Sequence, residues 1–401
     1  MDKALADLTV LDLSRVLAGP YGTMVLGDFG AQIIKVEQPG RGDDTRQWGP
    51  PFTAHGQSAY FVSVNRNKRS ITLNLKSAEG RAILGELVAQ SDVLIENFKV
   101  GTMEKLGLGY AALRTLNPGL IYCSITGYGQ TGPYKDRPGY DTVIQAQGGL
   151  MSITGPTTDG RDGDPFKVGV AIVDVSAGLF AVIAILAALH HRQTTGQGQQ
   201  IDIALFDAQL GWLANVASNY LVSGQPPGRY ANAHGTIVPY QTFPTADGHL
   251  MLAVGNDSQF RALCNVMGLA GLADDPRFAI NPARVGNREV LVPLLAERFR
   301  QQSTQPWIEQ LLDVDVPCGP VNSVPEALAT PQAQARRMVQ PVVDSAGDEY
   351  PLVGPVIKMS ETPPAIYSAP PFLGEDTGEV LQEKLGYSPE RIETLRREGI
   401  I

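Results

Sequence analysis

The sequence predicts an α/β protein: a large part with a mainly parallel, Rossmann-like sheet, followed by a smaller α+β unit. Two observations carry this reading. Over the first 130 residues, short apolar runs rich in Val and Ile alternate with helix-like segments, the pattern of a parallel sheet covered on both faces. Turn formers then cluster at Ser223-Gly-Gln-Pro-Pro-Gly228 and mark a boundary. A length of 401 residues allows two or three domains. The expected division is 1–222, 223–325 and an arm, 326–401, that returns to the large domain.

Thr9–Leu13 reads as the first strand, with a helix from Tyr21 to Gly30 after the Gly19-Pro20 break. Ala31–Glu37 and Ser70–Leu75 are further strands. Ser77 is placed to cap a helix reaching Gln90. Asp92–Glu96 and Leu120–Ile125 complete the series, a long apolar helix covers Val175 to about Gln193, and a strand at Gln200–Ala204 leads into a helix over 205–221. In the smaller unit, strands are expected over Thr236–Thr242 and His249–Val254. Helices are expected over Ser258–Met267, Arg288–Gln302 and Gln305–Leu312. The proline-rich tail reads as an extended arm ending in a helix near Pro389–Glu398.

Composition narrows the function. Hydrophobic residues make up 43% and charged residues 18%, as in ordinary globular proteins. The net charge of −9 disfavours nucleic acid as the main partner, since affinity there comes from Lys and Arg on phosphates. The three cysteines show no CxxC spacing, which argues against a disulfide framework or a zinc site. The N-terminus has no signal-like segment, and Asp174 interrupts the apolar run 168–189, so neither export nor a membrane span is expected. A cytoplasmic protein is the simplest expectation.

Asp174 is the most informative residue. It lies in that run, at or near the first turn of the long helix, where backbone N–H groups and the helix dipole can hold a carboxylate ionised. A fixed, desolvated carboxylate can be a nucleophile; a mere helix cap is the plainer alternative. Two basic stretches, Asn65–Ser70 and Asn97-Phe-Lys99 with Lys105, suit either a phosphate-bearing ligand or a solvated surface. Phe98 offers a flat face for a base. Gly107-Leu-Gly109 has no strand running into it, so nicotinamide chemistry is disfavoured. His234, in Asn232–Gln241, sits among glycine and polar groups suited to binding a carboxylate.

Many short segments together resemble the class III CoA-transferases, the family of formyl-CoA transferase. They include Val10–Pro20, Gly30–Glu37, Gly42–Arg46, Asn67–Ser70, Glu96–Phe98, Gly127–Gly129, Thr195–Gln199, Asp275–Phe278, Pro317–Pro320 and Leu373–Thr377. In that family the nucleophile is an aspartate just before a long apolar helix, the place Asp174 occupies here. The resemblance implies CoA contacts by Leu17, Ala18, Leu73, Asn97, Phe98, Lys99, Lys105, Arg137, Tyr140 and Asp141. The formyl-CoA member has arginine where Gln38 stands, lysine where Pro138 stands, and a glycine run absent here. The loop from His234 looks more like members using succinyl-CoA and a dicarboxylic acid, and His234, Gly235 and Thr236 are the expected substrate-binding residues.

The activity so implied moves CoA from an acyl-CoA to a small carboxylic acid through an aspartyl anhydride and an aspartyl-CoA thioester. The reaction needs no metal and no cofactor beyond the CoA ester. The family resemblance also implies an interlocked homodimer. The rival within the superfamily is an α-methylacyl-CoA racemase, whose histidine is here Tyr140, a poor base at neutral pH. A non-catalytic CoA-binding scaffold is the other alternative.

Overall fold

The computed structural model describes residues 3–158 and 161–401. They form two compact units. The first comprises residues 1–150, 167–224 and 331–401, and the second comprises 151–166 and 225–330. Residues 151–166, placed in the large domain on sequence, thus cluster with the smaller unit.

The first unit is built on six parallel strands: β1 (Thr9–Asp12), β2 (Gln32–Glu37), β3 (Lys68–Thr72), β4 (Val93–Glu96), β5 (Ile121–Thr126) and β6 (Gln200–Ala204). Their order is β3-β2-β1-β4-β5-β6. The chain runs outward from β1 in one direction and then from β4 in the other. The direction therefore reverses between β1 and β4, where doubly wound sheets open a crevice at their carboxyl ends.

Alternation along the strands feeds two cores. Leu11, Ile34, Ile71 and Leu94 face one side, with Ile83 and Leu87 of the helix Ala78–Val88. Val10, Ile33, Val93 and Ile121 face the other, against Ala177, Ala181 and Ile185 of the long helix. Ser77 caps the helix Ala78–Val88 as expected, accepting from the Gly80 N–H.

Several elements differ from the sequence reading. The first helix, α1, spans Ala18–Asp28, so Gly19-Pro20 lies inside its first turn. Proline is tolerated there because its missing N–H would have no helical partner. β3 starts two residues earlier than expected. The span 205–221 holds two helices, Leu205–Trp212 and Ala214–Ser223. The tail is more ordered than an extended arm. It forms a hairpin of β7 (Val339–Val343) and β8 (Glu349–Val353) and a helix Thr377–Leu385 before the expected one at Pro389–Arg397. Val380, Leu381, Ile392 and Leu395 from these two helices complete the first core.

The second unit has a three-stranded antiparallel sheet, Cys318–Pro320, His249–Ala253 and Tyr240–Pro244, in that order. The expected strand 236–242 starts only at Tyr240. Phe243, Leu250, Phe260, Leu291, Phe299 and Trp307 fill its core.

Candidate active site

The long helix, α2, spans Ile172–Thr195 and places Asp174 in its first turn. No side chain at its N-cap, Ala171, satisfies the orphan N–H groups. Asp141, from the start of the helix Asp141–Gln147, does so instead. Its Oδ1 accepts from Val173 N–H at 2.8 Å and Asp174 N–H at 3.2 Å. Its Oδ2 accepts from Gln145 Nε2 at 2.6 Å, and Gln145 Oε1 accepts the Val168 N–H at 2.9 Å.

This corrects the expectation for Asp174. The helix amides that would hold it ionised are taken by Asp141, and the Asp174 carboxyl has no hydrogen-bond or ion-pair partner among the described residues. Burial, then the neighbouring Asp141 charge, pushes it up to about 7. Asp174 is therefore not a cap; Asp141 is. Asp141 has a positioning role rather than only the CoA contact expected of it.

Asp174 lines a cavity of about 280 Å³. Its walls come from the carboxyl ends of β1, β4 and β5, so it sits at the reversal point of the sheet. Leu17, Ala18, Asn97, Phe98, Lys99, Arg137, Tyr140 and Asp141 all line it. Two close backbone approaches draw these segments together. A Cβ on Gly178 would lie 2.4 Å from the Ala18 carbonyl oxygen, so glycine lets α2 press against the start of α1. A Cβ on Gly127 would lie 2.5 Å from the Gly139 Cα, which seats the segment carrying Arg137 on the end of β5.

The remaining expected ligands separate. Leu73 lines a second cavity of about 250 Å³, with Leu13, Gln38, Lys76 and Leu106; Arg15 and Phe98 line both cavities. Lys105 is exposed and lines neither. The Asn97 amide is already engaged: it accepts the Arg15 N–H at 2.8 Å and donates to the Arg15 carbonyl at 2.7 Å. It clips one strand-end loop to another, so its side chain positions the wall. Phe98 is fixed by its N–H, which donates to Glu96 Oε2 at 2.8 Å. Glu96 itself is pushed up to about 7 by burial.

The other basic stretch is not a ligand site. Lys68 Nζ is buried and donates to Asp12, the Pro20 carbonyl and Asn65. Arg66 makes a two-pronged pair with Asp28, and Arg69 pairs with Asp376, Glu379 and Glu383.

Among the cavity residues that sequence reasoning did not single out as ligands are Arg15, Val16 and Lys135. Arg15 follows the carboxyl end of β1, a position that could have singled it out. Val16 has φ 70°, a left-handed conformation costly for a β-branched residue, with its N–H donating to the Asp43 carboxylate at 3.2 Å. Lys99, Lys135 and Arg137 are exposed cations with no carboxylate partner among the described residues. The Tyr60 hydroxyl is pushed up to about 12 by burial and then by Asp174, Asp141 and Asp43, so it stays protonated.

No histidine lines the cavity, so the second base of a racemase is not supplied there. The thiols are not poised as nucleophiles either. Burial raises Cys123, and it pushes Cys264 and Cys318 up to about 11.

In the second unit, His234 Nδ1 accepts the Thr236 N–H at 3.2 Å. Arg288, not singled out on sequence, donates to the Gly235 carbonyl at 2.7 Å, and Asn281 donates to the Thr236 carbonyl at 2.9 Å. Two side chains from helices thus hold the His234–Thr236 loop.

A doubly wound sheet with an unpartnered carboxyl in a cation-rimmed cavity at its reversal point defines a group-transfer enzyme acting on an anionic substrate. Comparison with known proteins makes the class specific. Residues 5–377 match CoA-transferase family III. The chain is 48% identical over 384 residues to succinate–glutarate CoA-transferase of Agrobacterium fabrum, covering 94% of this chain and 95% of that protein. It is 43% identical over 399 residues to human succinyl-CoA:glutarate CoA-transferase, covering 100% and 90%. A crystal structure of a CaiB/BaiF family protein from Brucella suis superposes with a TM-score of 0.86 at 47% identity, covering 96% of this chain and 100% of that one. The chain belongs to the family III CoA-transferases and is a CoA-transferase.

Proposed function

We propose that the protein transfers CoA from succinyl-CoA to a small dicarboxylic acid of the glutarate type, with Asp174 as the covalent nucleophile. The observation that carries this reading is the Asp174 carboxyl itself, unpartnered and lining the cavity. The names of the relatives from Agrobacterium fabrum and human support the choice of acids.

The chemistry follows from a resident carboxylate. Asp174 Oδ attacks the thioester carbonyl carbon, the C–S bond breaks, and CoA leaves as thiolate, giving a mixed anhydride. The thiolate attacks the aspartyl carbonyl carbon and releases the donor acid, leaving an aspartyl-CoA thioester. The acceptor carboxylate attacks that same carbon and expels the thiolate. The thiolate then attacks the acceptor's acyl carbon, giving the new acyl-CoA and free Asp174. The raised proton affinity of Asp174 in the free protein matches a group that is a strong nucleophile once deprotonated.

Lys99, Lys135 and Arg137 supply the positive charge for the phosphates of CoA. Because Arg15 and Phe98 line both cavities, one long ligand can run from Leu73 to Asp174.

The working form is a homodimer, cytoplasmic and with no resident cofactor. Support for the dimer comes from α2. Its inner side is core, while Leu179, Phe180, Ile183 and Leu186 are exposed. By length and composition α2 could cross a membrane. Half of it is packed inside this unit, and a second copy of the chain is the cover we assign to the rest.

The test is trapping. Protein incubated with succinyl-CoA and no acceptor, then treated with hydroxylamine, should carry a hydroxamate on Asp174 by peptide mass spectrometry. A succinyl group found on Cys123, Cys264 or Cys318 before hydroxylamine is added, with no hydroxamate on Asp174 afterwards, would refute the carboxylate route.

A further inference from the structure

A second cluster of ligating groups lies elsewhere in the first unit, and the reaction above makes no use of it. The β7–β8 hairpin turns through Asp344-Ser-Ala-Gly-Asp348. Asp344 is only 6% exposed. Its Oδ1 is committed, accepting from the N–H groups of Ala346 at 3.0 Å and Asp348 at 2.9 Å. Its Oδ2 is buried and has no partner. No Lys or Arg among the described residues pairs with Asp344 or Asp348; the one ion pair is between Asp348 Oδ2 and His55 Nδ1, at 2.9 Å. The same Oδ2 accepts the His55 backbone N–H, also at 2.9 Å.

One ligating atom from each of His55, Asp344 and Asp348 lies within 4.8 Å of the other two. The Tyr350 hydroxyl is a second buried, unpartnered polar atom.

A buried carboxylate oxygen left without a donor or cation is costly. Here an orphan carboxylate oxygen, a second carboxylate and a histidine converge, and no Lys or Arg among the described residues serves the carboxylates. We propose that His55, Asp344 and Asp348 bind one divalent cation that takes mixed imidazole and carboxylate ligands, of the Zn²⁺ kind. The ligand set decides the class: an imidazole with two carboxylates suits Zn²⁺ better than Mg²⁺ or Ca²⁺, which take oxygen. Two ligands on one zinc, each bonded at about 2.0–2.2 Å, stand no more than roughly 4.4 Å apart. The group therefore needs to close by under about half an ångström, which the half-exposed His55 ring can supply by rotation. Sequence spacing could not show this site, since His55 and Asp348 are 293 residues apart. None of the three residues lines the Asp174 cavity. The ion would tie the segment before Tyr60 to the hairpin of the C-terminal arm.

The test is calorimetric titration of the metal-free full-length protein with ZnCl₂, beside Asp344→Asn and His55→Ala. Asp344→Asn keeps an acceptor for the Ala346 and Asp348 amides and removes the charge; His55→Ala changes a half-exposed side chain and leaves the Asp344 turn intact. Wild type should bind one equivalent, both variants should bind at least tenfold more weakly, and ZnCl₂ should raise the unfolding midpoint of wild type alone. Absence of binding to wild type, or equal affinity in wild type and both variants, would overturn the proposal. So would CaCl₂ competing on equal terms with ZnCl₂, because imidazole would then not be a ligand.

Discussion

Asp12 and Asp174 are two carboxylates withdrawn from solvent in the same unit, one ending β1 and one opening α2, and their surroundings drive them in opposite directions. Asp12 is fully buried. Burial alone would raise it, yet Lys68, then Lys35, with hydroxyl donors from Ser14 and Thr23, bring it down to about 2. Its Oδ2 accepts from Lys68 Nζ at 3.0 Å and Thr23 Oγ1 at 2.6 Å. Lys68 is held down to about 8 by its own burial, so both partners remain charged at neutral pH. Asp174 has no such company and is pushed up to about 7. A carboxylate whose lone pairs are all occupied is part of the scaffold. One left without partners at a cavity wall is available for chemistry.

The comparison breaks most visibly in turnover. Asp174→Asn should lower CoA transfer by roughly 10⁴-fold or more, the scale seen when a nucleophile is removed, measured as succinyl-CoA consumption with glutarate. Retention of a tenth of wild-type activity would make Asp174 a structural residue like Asp12. Stability should respond in reverse. Asp12→Ala leaves Lys68 buried and unpaired and should cost about 3–5 kcal/mol, read from urea unfolding. Asp174→Asn should stabilise the fold above pH 7 by about 1–2 kcal/mol, less than the full shift implies because the group is only partly buried.

The pH dependence follows with its sign. Asp174 in the folded chain binds its proton more tightly than in the unfolded chain. Its contribution to stability therefore falls as pH rises from about 4 to about 7 and is constant above. The gain from Asp174→Asn should vanish below pH 4. Asp12 behaves oppositely: its contribution is present above pH 4 and is lost as pH falls toward 2. In kinetics, kcat/KM should rise about tenfold per pH unit below 7 and level off above. Asp141→Asn keeps an acceptor for the α2 amides and removes the second cause of the shift, so the midpoint should move to lower pH. A profile flat from pH 5 to 8 would mean that another group limits the reaction.

The smallest effects belong to the rim. Lys99→Ala and Arg137→Ala should each weaken succinyl-CoA binding several-fold at 0.05 M salt. The loss should shrink as salt is raised, since exposed charges are screened over about 10 Å at 0.1 M. Lys105→Ala, outside both cavities, should change little; an equal effect would place the nucleotide nearer Lys105 than the cavities do.

Local chemistry made much of the fold legible. Ser77 announces its helix because a serine hydroxyl can satisfy an orphan N–H within three residues. The runs at 9–13, 31–37 and 92–96 announce strands because both faces of a parallel sheet must be apolar. The tail was harder to read. Its prolines suggested an extended arm, whereas Val380 and Leu381 take helical positions because the exposed face of the sheet needs cover. The basic run at 65–70 was ambiguous for the same reason: charge in sequence does not say whether a carboxylate waits across the fold, and here Asp12 and Asp28 do.

The sequence by itself determined the sheet, the long helix and the placing of Asp174 in its first turn, all of which depend on apolar periodicity and short-range hydrogen bonding. Only the tertiary structure decided what Asp174 is. Its helix amides are claimed by Asp141, 33 residues away, and its neighbours arrive from three strand ends brought together by glycine contacts. Proton affinity depends on charges and water within a few ångströms, and those distances exist only once the chain has folded.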